Sequence, residues 1–153
     1  MTQKLSMRIA TQLDANIITN IYLTSRKKYI SFAPIVHSDA AIQQWMHDIL
    51  IPNSQVWIVE QNDTIIGMMA LTEKQGIYWI EQLYVLPGAT GKGVGSLLIA
   101  KAKSLHCPIR LRTFQENLDA RHFYERHGFK IVEFADGSGN EEHCPDMLYE
   151  WKA

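Results

Sequence analysis

Between Gln55 and Pro87 the apolar residues fall into extended runs. QVWIVEQ, IIGMMALTEK and GIYWIEQLYVLP succeed one another with only short polar turns such as NDT between them. Runs of this length, rich in Ile, Val, Tyr and Trp and bounded by turn residues, read as three consecutive strands, and an antiparallel meander is the simple way to join them. A chain with such a centre must build its core on a sheet. The residues after Pro87 decide what kind of sheet.

Directly after the third run comes ATGKGVGSLLIAKAK, with Gly91, Gly93 and Gly95 ahead of Val94, Leu97, Leu98, Ala102 and Leu105 at helical spacing. Pro108 sets off IRLRTF as a strand, Asn117 to His127 reads as a helix closed by Gly128, and FKIVEF and DMLYEW read as the last two strands. Upstream, Met7 to Thr11 reads as a first strand. Asp14 is expected to cap a helix through about Tyr29, with Ile17, Ile18, Ile21 and Tyr22 on its apolar face. Ser38 is expected to cap a second helix running towards Pro52. The order β-α-α-β-β-β-α-β-α-β-β combines a meander with later helical crossovers and predicts an α/β sheet of mixed direction. No repeat or linker interrupts it, so one domain is expected over residues 1–153.

Alternate glycines before a helix mark a place where something approaches the backbone, and an anion suits the positive end of a helix. A phosphate loop of the GxxxxGK[ST] type would need glycine at position 86, which is Leu86, and Ser or Thr after Lys92, which is Gly93. A GxGxxG dinucleotide loop starting at Gly91 would need glycine at 96, which is Ser96. Both are rejected. A turn with inward N–H groups leading into a helix N-terminus remains, and it suits a pyrophosphate.

Taken together, LYVLPGATGKGVGSLLIAKAK and LRTFQENLDARHFYERHGFKIVEF resemble the central signature of the GCN5-related N-acetyltransferase (GNAT) superfamily. The resemblance covers residues 83 to 134, and the flanking elements keep the family's order. It implies a mixed, mostly antiparallel central sheet with splayed central parallel strands and flanking helices, of the acyl-CoA N-acyltransferase type. It also implies acetyl-CoA as cosubstrate and no metal. The pyrophosphate would lie on Thr90, Gly91, Lys92, Gly93, Val94, Gly95 and Ser96, and the pantetheine arm along Leu83, Tyr84 and Val85, acting as a surrogate strand. Tyr124 matches the family tyrosine that gives a proton to the leaving thiolate, and Asn117 the asparagine at the pantetheine arm. Thr90 departs from the family, which has Arg or Gln there, so the loop has a hydroxyl in place of a guanidinium or amide.

Acetyl transfer to an amine needs a base, because the amine is mostly protonated near neutral pH. Glu81 is the candidate: on a regular strand it shares a face with Trp79, Leu83 and Val85. A hydrogen-bonded or solvated strand residue is the equal alternative. Arg121 is expected at a surface salt bridge rather than a phosphate. Tyr22, Tyr29, Trp45 and Trp79 are aromatic candidates for an acceptor pocket, and the 135–146 loop and the first two helices are expected to choose the acceptor. Glu141, Glu142, His143, Cys144 and Asp146 are crowded too closely in sequence for a closed metal site.

The net charge of -1 gives no global field to attract nucleic acid or an anionic membrane. Cys107 and Cys144 lack metal or redox spacing, and the first residues lack a signal-peptide run, so a cytoplasmic protein is expected. The reading is an N-acetyltransferase acting on a primary amine of a small molecule or peptide, possible as a homodimer by family habit. The alternative is a catalytically silent acyl-CoA-binding sensor.

Overall fold

The three central runs pair as read. In the computed structural model, which describes residues 4–153, β2 (Gln55–Gln61), β3 (Thr64–Lys74) and β4 (Ile77–Val85) form an antiparallel meander. The first three residues of the expected 1–153 domain lie outside the described residues. β1 (Leu5–Ile9), β5 (Ile109–Phe114), β6 (Lys130–Ala135) and β7 (Asp146–Trp151) complete one sheet in the order β1-β2-β3-β4-β5-β7-β6. Every neighbouring pair is antiparallel except β4 with β5, which is parallel and central.

Successive residues of a strand face opposite sides, and both sides of this sheet are covered. Along β3, Met68 and Ala70 join a cluster with Ile18 and Ile21 of α1 (Ala15–Tyr29) and Ile42 of α2 (Asp39–Trp45). Met69 and Leu71 join the opposite cluster, with Leu98 and Ile99 of α4 (Val94–Lys103) and Tyr124 of α5 (Leu118–Arg126). That explains why IIGMMAL is apolar without alternation: each parity has its own core. Burying a side chain such as Leu98, fully enclosed, contributes about 1.5–3 kcal/mol.

Three boundaries differ from the sequence reading. β1 spans Leu5–Ile9 rather than Met7–Thr11, because Thr11 turns into a 3-10 segment (Gln12–Asp14). Asp14 precedes α1 without capping it through its side chain. Its carboxylate instead accepts from both Arg8 Nη atoms, at 2.9 and 3.0 Å, and from the Thr11 N–H at 2.8 Å. The second helix is capped by Ser38 as expected, its hydroxyl accepting from the Ala41 N–H. It then passes through a π turn (Met46–Leu50) into a single turn, α3 (Ile51–Asn53). Pro52, with no N–H to return to the preceding turn, sits where the regular ladder cannot continue.

Candidate active site

The parallel pair does not stay together. β4 and β5 are in register at Tyr78–Ile109, Trp79–Arg110 and Ile80–Leu111, and beyond those pairs β4 runs on to Val85 and β5 to Phe114 with no ladder between them. A cavity of about 870 Å³ opens where they part. The β4 backbone groups facing β5 past Ile80 are left for another hydrogen-bonding partner.

The parting coincides with a bulge. Ala70 pairs with Gln82 and Leu71 with Ile80, which leaves Glu81 as the extra residue. This corrects the face expected for Glu81. Leu83 and Val85 pack with the α4 and α5 cluster. Glu81 instead accepts a hydrogen bond from Thr72 Oγ1 at 2.7 Å, and Thr72 lies two residues along β3 from Ala70 of the α1 cluster. Nor is its setting apolar: the side chain is 38% exposed, with Lys74 Nζ at 3.9 Å. It does line the cavity. Alternation could not foresee one inserted residue.

Along the cavity wall lie Leu83, Tyr84 and Val85, then Thr90, Gly91 and Gly93, then Val94, Gly95 and Ser96 of α4. Lys92, grouped with them from sequence, is exposed and stands outside the wall, in the turn between two glycines. Those glycines differ in purpose from the third. Gly91 (φ 78°) and Gly93 (φ 82°) take left-handed backbone conformations that aim the turn's N–H groups. Gly95 is helical, and a Cβ there would meet Phe123 Cζ at 2.9 Å, so α4 and α5 come together at this residue. Ser96 Oγ also meets His127 Nε2 at 2.9 Å across the same junction.

Asn117 caps α5, its side-chain oxygen accepting from the Ala120 N–H at 3.3 Å, and it lines the cavity as well. Tyr124 is 7% exposed and on the wall, and its hydroxyl has no hydrogen-bond partner among the described residues. Burial, and then the neighbouring Tyr84, push that hydroxyl well above the usual tyrosine range. The group therefore keeps its proton at any physiological pH. Tyr84 is raised likewise, mainly by burial.

At the far end the wall changes character. Tyr29, Ile30, Phe114, Asn140, Glu142 and Asp146 line it. Of the aromatic candidates, Tyr29 is there, whereas Tyr22, Trp45 and Trp79 are not on the wall. Among the described residues Arg121 forms no surface pair, and it does not line the cavity; its Nη1 donates to the Gln115 carbonyl at 3.0 Å. Glu141 pairs with His37 at 2.9 Å rather than joining its neighbours, and among the described residues no three His, Cys, Asp or Glu side chains are placed to hold a metal.

The sequence reading passed over Arg26 and Ser25. Ser25 Oγ donates to the Val85 carbonyl at 3.0 Å, tying α1 to the end of β4. Arg26 is buried beneath the far end of the cavity. A signal existed: it stands four residues after Tyr22 and eight after Ile18, on the helix stripe that faces the core.

Residues 52–131 match the family described as Acetyltransferase (GNAT) domain. The chain is 26% identical over 106 residues to the peptidyl-lysine N-acetyltransferase YiaC of Escherichia coli, an alignment covering 69% of each chain. It is 28% identical over 94 residues to the peptidyl-lysine N-acetyltransferase YjaB of Salmonella typhimurium, covering 61% of each, less than two thirds of that relative's length. Among solved structures, the PaiA N-acetyltransferase of Thermoplasma acidophilum in complex with coenzyme A superposes with a TM-score of 0.77 at 20% identity, over 98% of this chain and 99% of that one. At that identity the likeness is one of fold.

Proposed function

The chain belongs to the GNAT acetyltransferase family, and from that premise we propose that it moves an acetyl group from acetyl-CoA directly to a primary amine of a small molecule or peptide. The observation that carries the proposal is the parting of β4 from β5, which opens one cavity between the glycine loop, the unpartnered Tyr124 hydroxyl and the bulge at Glu81. The wall suits the cosubstrate. Turn N–H groups and the α4 N-terminus at residues 90–96 suit a pyrophosphate, and the open edge of β4 at Leu83 to Val85 suits the amides of a pantetheine arm.

In this reading the neutral amine attacks the thioester carbonyl, and negative charge develops on its oxygen. A backbone N–H of β4 near Leu83 stabilises that oxygen. The carbon–sulfur bond then breaks, and Tyr124 passes its proton to the departing thiolate. The raised pKa keeps the proton on Tyr124 until thiolate charge develops beside it, and the phenolate then takes up the proton that the acetylated nitrogen sheds, which regenerates the residue. Glu81, bonded to Thr72 and open to solvent, receives the ammonium proton through water rather than through an apolar contact. The lysine acceptors named for YiaC and YjaB support including peptide amines among the substrates.

The test is release of free coenzyme A thiol across a panel of small amines and lysine peptides, with mass spectrometry of the product. Thiol release that depends on the amine, with a matching acetylated product, supports the enzyme. Binding of acetyl-CoA with no turnover on any amine supports the silent sensor instead.

A further inference from the structure

We infer that Arg26 is the positioning residue of the acceptor-side wall, an inference that rests on the acetyltransferase reading above. Arg26 lies in the last turn of α1 with 4% of its surface exposed. Its Nη1 donates to Tyr22 Oη at 2.9 Å, its Nη2 donates to the Pro34 carbonyl at 3.2 Å, and its Nε is buried with no partner among the described residues. Glu142 Oε1 stands 3.9 Å away, a carboxylate whose side chain is 13% exposed and which lines the cavity. The guanidinium also lies 5.5 Å from the Tyr22 ring centre and 5.9 Å from that of Phe114.

One cation thus touches α1, the 30–38 loop, the end of β5 and the 136–145 loop. The remaining bonds between the two loops are weak. His37 and Glu141 pair at 2.9 Å but are both more than half exposed, and Cys144 Sγ reaches the Phe32 carbonyl at only 4.0 Å. Stability alone does not call for a guanidinium here, since apolar side chains in place of both Arg26 and Glu142 would fill the same space without an orphaned N–H. What the guanidinium does uniquely is hold both loops and set Glu142 against the cavity, where that carboxylate draws a cationic acceptor. None of its hydrogen bonds or ring contacts reaches residues 89–96, so the pyrophosphate end is independent of it; its link to the pantetheine strand runs through Tyr22, whose ring meets that of Tyr84 edge-on with centres 5.2 Å apart.

The experiment compares wild type with Arg26→Met, Arg26→Lys and Glu142→Gln. It measures acceptor KM and kcat, acetyl-CoA affinity by calorimetry, and hydrogen exchange of residues 136–145 by mass spectrometry. Arg26→Met should raise acceptor KM by about tenfold or more, the worth of a hydrogen bond from a charged group. Acetyl-CoA affinity should change several-fold less than acceptor KM, because the pyrophosphate end does not touch Arg26, and the loop should exchange faster. Arg26→Lys should fall between, since it restores the charge without the planar fork. Glu142→Gln, which removes the ion pair but leaves the buried cation and its bonds to Tyr22 and Pro34 in place, should raise acceptor KM and also speed exchange of residues 136–145, and it serves if Arg26→Met does not fold. Unchanged loop exchange, or equal loss of affinity for both substrates with a lower Tm, overturns the inference. Absence of transfer by the wild type on any amine would sink the acetyltransferase reading instead, and the exchange measurement would still decide whether Arg26 holds the loop.

Discussion

At the residue scale the site turns on Tyr124, whose aromatic ring belongs to the core while its hydroxyl is left unpartnered at the cavity wall. Tyr124→Phe keeps the ring and removes the proton. Turnover should fall by about a hundredfold or more while acetyl-CoA affinity is unchanged, measured by steady-state kinetics beside calorimetry. The same burial gives a pH signature. The folded state holds the Tyr124 proton above the ordinary tyrosine range, so its contribution to stability is complete below about pH 10 and is lost as pH rises further. Wild type should therefore lose stability relative to Tyr124→Phe, which has no hydroxyl to ionise, as pH rises above that value in urea unfolding. Gly95 presents the opposite case, in which the absence of a side chain is the function. Gly95→Ala places a methyl 2.9 Å from Phe123 Cζ and should cost about 1–3 kcal/mol; a Phe123→Leu partner change should recover part of it.

At the element scale, the glycine loop and the start of α1 each join a turn to a helix by different means. In the loop, Thr90 lines the cavity but offers no cation. Thr90→Arg should tighten acetyl-CoA binding by about tenfold through a charge-assisted phosphate contact, and calorimetry that shows no change would place the phosphates elsewhere. At α1, the Arg8 guanidinium, together with the Thr11 N–H, holds the Asp14 carboxyl below the usual carboxylate range against the effect of burial. A depressed carboxylate pKa stabilises the fold above the unfolded value and stops doing so as pH falls through the folded one. Asp14→Asn should thus cost about 1–3 kcal/mol at pH 7, and the difference should shrink below about pH 4. Urea unfolding at the two pH values checks both the size and the sign.

At the scale of the whole molecule, the sheet serves as scaffold and as binding edge at once. Acetyl-CoA should slow amide exchange at Leu83 to Val85 of β4 far more than at Val56 to Val59 of β2, which lie in a closed ladder. By itself the sequence determined the strand and helix order, the meander, the cap at Ser38 and the glycine turn. These rest on local rules: period, turn chemistry and the conformations that a residue type permits. It also carried the family signature between residues 83 and 134. The tertiary structure decided the bulge that moves Glu81 off its expected face, the third glycine's role against Phe123, and the burial of Arg26 beneath two loops distant in sequence. Each of these depends on what a second segment places opposite the first, and a pattern read along one strand or one helix holds no record of its partner.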